Sequence, residues 1–197
     1  MSITEKVILL RKTKFGESDL ILSCLSSSGQ VQSLMAKSAL KSKKRFGGGV
    51  LEPTHYVSVT YQQKDHYKES EKLPLLSEAQ LIYDFPLMRS DYERLQLGFH
   101  VVKTVSTVIR EGDLALKGLF DLVGNSLKAI ETSDNLASLK THFEVKFLNL
   151  QGVLPTNSEI EELLRLQLKD HSQIDFSSAR WLSLRRQVTA TLENYLG

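Results

Sequence analysis

The chain has 197 residues, 41% of them hydrophobic and 24% charged, an ordinary globular balance with enough apolar material for one large core or two small ones. Its formal net charge of +2 hides an asymmetry: up to Gln80 there are 12 Lys and Arg against 8 Asp and Glu, beyond it 13 against 15, so an anionic partner is expected on the N-terminal part. A single cysteine, Cys24, excludes an intrachain disulfide and five scattered histidines give no zinc frame; with no long apolar run and no basic leader, the expectation is a soluble, cytoplasmic chain without a membrane span.

Between Thr4 and Tyr83 the apolar pattern has a period of two, which predicts strands. "KVILLRKT" and "DLILSCLSS" are dense in aliphatic residues, "QVQSLMAK" alternates, and "HYVSVTYQQ" sets Val57, Val59 and Tyr61 on one face against Tyr56, Ser58 and Thr60 on the other. Turn formers separate these runs: Phe15 to Asp19, Ser26 to Gly29, a basic and glycine-rich stretch, and the polar "KDHYKESEK". A fifth strand around "LPLLSEAQLIY" completes a small closed sheet, so residues 1–83 are expected to form a β-barrel of the OB type.

Beyond Phe85 the period becomes 3.6. Ser90 with Glu93 has capping-box spacing ahead of a stripe through Tyr92, Leu95, Phe99, Val102 and Ile109 that stops at Gly112. Asp113 is placed to cap a second helix with Leu116, Leu119, Phe120, Val123, Leu127 and Ile130 on one face. Ser133 or Asp134 would open a third, carrying Leu136, Leu139, Phe143 and Leu150 and closed by Gly152. Ser158 with Glu161 repeats the capping-box spacing after Pro155, and Ser177 precedes an amphipathic stretch through Trp181, Leu184, Val188, Leu192 and Tyr195. The fold class is therefore α+β, an N-terminal barrel followed by an α-helical domain over 84–197.

Catalytic patterns are fragmentary. Ser38 to Lys41 matches SxxK and Ser133 to Asn135 reads SDN, two penicillin-binding signatures, but the third, KTG, is missing and Ser38 lies in a solvated cationic run. Gly47 to Gly49 lead into "VLEP" rather than the Lys and Ser or Thr of a P-loop. Glu159, Glu161 and Glu162 sit in a first helical turn, where the macrodipole stabilises carboxylates. The histidines have no mutual spacing suited to a metal, so no enzyme chemistry and no cofactor is expected.

The densest chemical signal is "KSALKSKKRFGGGVLEP", with Lys37, Lys41, Lys43, Lys44 and Arg45 in nine residues. Arg11, Lys12 and Lys14 precede a nearby turn, and Phe15, Phe46, Tyr56 and Tyr61 are interleaved, although Tyr56 or Tyr61 could equally serve a core. Cations that follow phosphates beside aromatic faces that stack bases suit a single-stranded nucleic acid on an OB-type barrel.

The stretch "KFGESDLILSCLSSSGQVQSLMAKSALKSKKRFGGGVLEP" resembles the RecO family of bacterial recombination mediators. It has the aromatic-Gly-Glu turn, a strand, a polar turn ending in Gly, a strand leading into Ala-Lys, a basic stretch and Leu-x-Pro. "SDYERLQLGFHVVKTVSTVIREGDLALKGLFDLVGNSLKAI" is similar to the family's central helices and "FEVKFLNLQGVLPTNSEI" to its segment ending in Gly-x-x-Pro. The resemblance implies an OB-fold and a helical domain that bind single-stranded and duplex DNA and anneal strands coated by single-strand binding protein. It also implies that, with RecR, the protein promotes loading of RecA, with no covalent step. Lys37, Lys41, Lys43, Lys44 and Arg45 would be phosphate contacts, with Arg11, Lys12 and Lys14 next in line, and Gly47 to Gly49 would let the loop mould to the strand.

One feature departs from the resemblance: many members carry a four-cysteine zinc knob after Gly-x-x-Pro, whereas "GVLPTNSEIEELLRLQLKD" contains no cysteine. The resemblance further implies that the acidic, hydrophobic tail of single-strand binding protein docks on the helical domain; Lys103, Arg110, Lys117 and Lys128 are candidate cations, but no motif selects among them and an exposed helical cation is the default reading, so no site is assigned. The competing readings are an RNA-binding barrel of the same type and a protein-interaction adaptor whose cations serve solubility.

Overall fold

The computed structural model describes residues 1–42, 44–62, 73–155, 157–173 and 178–196, so the "KDHYKESEK" turn, Lys43 and the Ser177 cap lie outside the described residues. It contains two compact units, one of Met1–Asp84 with Val105–Phe120, the other of Phe85–Thr104 with Asp121–Gly197.

In the first unit the period-two runs form β1 (Ser2–Phe15), β2 (Asp19–Ser26), β3 (Val31–Ala36), β4 (Tyr56–Gln62) and β5 (Leu75–Tyr83). They close into a barrel in the order β1-β2-β3-β5-β4. β1 is long enough to serve two neighbours, pairing β4 from Ser2 to Ile8 and β2 from Val7 to Phe15. The seam between β3 and β5 is parallel and short, at Met35 and Leu75, with Met35 N donating to Pro74 O at 2.9 Å. The expected alternation in β4 is present: Val57, Val59 and Tyr61 join Val7, Leu9, Leu22, Cys24 and Leu34 in the barrel interior. Tyr61 enters with its hydroxyl satisfied, donating to Glu5 Oε1 at 2.8 Å, while Gln32 Nε2 donates to the same oxygen. Burial, reinforced by Glu5, pushes the Tyr61 hydroxyl up to about 12 and keeps it a donor.

A bulge interrupts β1. Leu9 lies opposite Cys24 but Arg11 opposite Ser23, leaving Leu10 as the extra residue. On the barrel's outer surface Ile8, Leu10 and Leu25 are buried too. The Val105–Phe120 segment belongs to this unit: Leu116 N donates to Gly29 O at 3.1 Å and the Phe120 ring meets Tyr56 edge-on, with centroids 6.0 Å apart. Leu116 is thus not part of a helix begun by Asp113. That carboxylate accepts from Arg110 N at 2.7 Å and closes the preceding turn instead.

The second unit is helical, with α1 (Pro86–Arg89), α2 (Tyr92–Val108), α3 (Leu119–Thr132), α4 (Leu136–Leu150), α5 (Ser158–Arg165) and α6 (Ala179–Leu196), plus a 3-10 turn at Leu168–Gln173; the last turn of α2 and the first two residues of α3 are counted with the first unit. α4 is central and buried around most of its circumference, with Leu139, Phe143, Val145, Phe147 and Leu148 at its core and α5, α6 and the 3-10 turn against it. The caps are displaced by one or two residues from those expected. Asp91 rather than Ser90 receives the Arg94 N–H at 2.9 Å, Asn135 rather than Ser133 or Asp134 receives Ser138 N, and Asn157 rather than Ser158 receives Ile160 N. Ser90 serves the end of α1, its hydroxyl donating to Leu87 O. On α2 the buried face runs through Leu97, Val101, Val102 and Val105, leaving Tyr92 and Phe99 exposed, because two apolar stripes compete on that sequence.

Candidate nucleic-acid interface

Strand register decides which cations share a surface. Phe15 pairs with Asp19 and Leu20 with Ala36, so the β1–β2 turn and the segment leaving β3 lie side by side on one rim of the barrel. Three hydrogen bonds fix that segment: Ser38 N donates to Asp19 Oδ1 at 2.7 Å, Leu40 N to Ser18 O at 3.0 Å and Ser42 N to Ser38 O at 3.0 Å. Ser38 takes a φ of +55° to make the turn, an exposed position unlike the buried helix an SxxK serine requires.

The basic stretch is anchored from within. Ala39, Phe46 and Leu51 belong to the buried barrel cluster and Val50 packs against it, so the segment plugs the rim with its apolar residues. Gly47–Gly49 form a 3-10 turn between Phe46 and Val50. Lys37, Lys41, Lys44 and Arg45 are exposed around this plug. Arg45 is oriented by the segment itself: its Nη2 donates to Lys37 O at 2.9 Å and its guanidinium lies 5.0 Å from the Phe46 ring centre.

The three cations of β1 divide between two faces. Residues directly opposite in an antiparallel pair share a face. Lys12 and Lys14, opposite Leu22 and Leu20, continue the inner row past the barrel's edge, whereas Arg11, opposite Ser23, lies on the outer row with Thr13 and Phe15. The bulge at Leu10 causes this exchange, because without the extra residue Arg11 would have taken the inner row. Lys12 is paired with both oxygens of Glu52, just beyond the plug. Among the described residues, Arg11, Lys14, Lys37, Lys41 and Lys44 meet no acid.

The aromatic side chains sort differently. Tyr61 and Phe46 are interior, Tyr56 packs on Phe120, and only Phe15 of the four is exposed. Leu40, which the sequence did not single out, is equally exposed on the adjoining turn. Its one visible signal is an apolar residue set inside a cationic run.

The domain models for Recombination protein O match both parts of the chain, the N-terminal one over residues 1–85 and the C-terminal one over 89–159. The chain belongs to the RecO family. The DNA repair protein RecO of Maridesulfovibrio salexigens is 32% identical over 155 residues, covering 79% of this chain and 61% of that protein. Its counterpart from Desulfatibacillum aliphaticivorans is 31% identical, with 78% and 58% covered. That of Christiangramia forsetii is 24% identical across 100% of this chain and 80% of its own length. The chain spans about three-fifths of the length of the first two relatives.

In this RecO-family chain the cations considered for the tail of single-strand binding protein are divided: Arg110 and Lys117 fall in the barrel unit, Lys103 and Lys128 in the helical one, all four exposed. Among the described residues no cluster of His, Cys, Asp or Glu is placed to hold a metal, and no helix is long and apolar enough to cross a membrane. The SDN serine does meet a histidine, Ser133 Oγ lying 2.7 Å from His171 Nε2. Both side chains are buried, His171 Nδ1 donates to Leu168 O and Ser133 Oγ accepts from Asn135 N, so the pair ties the start of α4 to the 3-10 turn.

Proposed function

We propose that this chain acts in recombinational DNA repair as a mediator that performs no covalent chemistry. The barrel rim binds the phosphates of single-stranded and duplex DNA, strands coated by single-strand binding protein are annealed, and RecA is loaded together with RecR. One observation supports this reading beyond family membership: Lys14, Lys37, Lys41 and Lys44 surround a rim whose apolar residues are held in the barrel, so exposed charge sits on an ordered base. A backbone already held in place has less freedom to lose when a phosphate meets its cations, and phosphate contact serves any sequence. Lys12, engaged with Glu52, has to exchange one anion for another and contributes less.

Strand annealing tests the reading. Two complementary labelled oligonucleotides, coated with the organism's own single-strand binding protein, should pair faster when this protein is added, and the acceleration should weaken at higher salt. Clear binding to bare strands without acceleration would reduce the chain to a generic nucleic-acid binder. Tighter binding of the matching RNA in competition would move the substrate class from DNA to RNA.

A further inference from the structure

We infer that Phe15 and Leu40 form a platform on which an unpaired base stacks, giving the barrel rim its preference for single strands over duplex. The inference rests on the proposal that the rim binds DNA. Phe15 is 53% exposed at the last position of β1, and Leu40 is 53% exposed two residues beyond Ser38. Other large apolar side chains, Leu87, Tyr92 and Leu114 among them, are at least as exposed; Phe15 and Leu40 differ in standing on adjoining segments of a cationic rim. The two segments that carry them are joined, since Asp19, the strand partner of Phe15, accepts from Ser38 N, and Ser18 O accepts from Leu40 N.

Charge complementarity identifies the occupant. Arg11 shares the outer row of β1 with Phe15, Lys37 and Lys41 bracket Leu40, and none meets an acid among the described residues. An apolar face bordered by free cations suits a group that is flat and apolar on one side and anionic on the other, which describes a nucleotide with its base unstacked. A protein or lipid surface would ask for a broader apolar area. A duplex presents its phosphates to the same lysines while its bases remain stacked on one another, so only the single strand gains from Phe15.

The test compares wild type with Phe15→Ala and Phe15→Trp, using an oligonucleotide containing 2-aminopurine and its duplex as probes, read by anisotropy and by base fluorescence. Phe15→Ala should weaken single-strand binding by about 5- to 150-fold, the range that loss of one stacked base produces. Duplex affinity should stay within about twofold, and the salt slope should be unchanged because no charge is removed. Phe15→Trp should retain single-strand affinity and quench the probe at least as strongly as wild type. Because Phe15 is half exposed, neither variant threatens the barrel core. Equal losses on single strand and duplex, or no loss on either, would overturn the platform while leaving phosphate binding standing. Failure of the wild-type protein to bind either probe would remove the DNA-binding reading itself, and the platform with it.

Discussion

His142 lies wholly inside the helical unit, with Nε2 donating to Leu163 O at 2.9 Å and Nδ1 without a partner among the described residues. Burial, aided by the nearby Lys146 ammonium and His171, lowers its imidazole to about 4. The unfolded chain takes up this proton near the ordinary histidine value and the folded chain only well below it, so stability is full at neutral pH and falls as pH drops through that window. The contribution amounts to a loss of about 2 kcal/mol between about pH 7 and 5, measurable by urea unfolding. His142→Gln keeps a donor for Leu163 O but cannot titrate, so its unfolding should be flatter across that interval. An equally steep dependence in the variant would assign the effect to another group. This residue shows the limit of reading side chains from sequence: His142 belonged to an unremarkable scatter of histidines, and only α4's central position buries it. Phe46 carries the same lesson, because an aromatic beside lysines reads as a stacking face until the barrel claims it, whereas the period-two pattern already left Tyr61 open to the core.

Among the elements, the strands were legible because period-two patterning and turn residues coincide in β1 to β5. The bulge at Leu10 was not, since four consecutive aliphatic residues from Val7 to Leu10 carry no mark of the face each takes. Helix existence was likewise readable and cap identity was not, because Ser90 and Asp91, or Ser133, Asp134 and Asn135, present several good caps in succession. The plug was hidden for a different reason. Its residues are spread through a charged, glycine-rich stretch without period, and their burial depends on the barrel's open rim. The β2–β3 turn gives an element-scale prediction. Gly29 has φ +87°, and a Cβ there would lie 2.2 Å from Leu116 O. Gly29→Ala therefore combines a left-handed alanine, worth about 1–2 kcal/mol, with a collision against backbone that Gly29 O itself holds in place. The variant should unfold at lower urea than wild type by at least that amount; an unchanged midpoint would mean that the Leu116 segment yields freely.

At the scale of the whole molecule, the charge asymmetry seen in the sequence corresponds to a rim on which the β1–β2 turn and the plugged basic segment meet. If DNA binds this surface as proposed, it does so through counterion release, which makes affinity a function of salt with a slope set by the number of phosphates contacted. About five contacts on a single strand correspond to a slope near −3.5 in log affinity against log salt, from roughly −0.7 for each. Arg45 is best left in place, because its hydrogen bond to Lys37 O and its contact with Phe46 hold the segment. The most direct measurement is therefore that slope for wild type and for the combined Lys37→Ala, Lys41→Ala, Lys43→Ala and Lys44→Ala variant, on one unstructured single strand. The plugged-rim account predicts a flattening of about 0.7 for each lysine removed, to a slope of about −0.7. A variant that keeps the wild-type slope would place the DNA on another surface and contradict it.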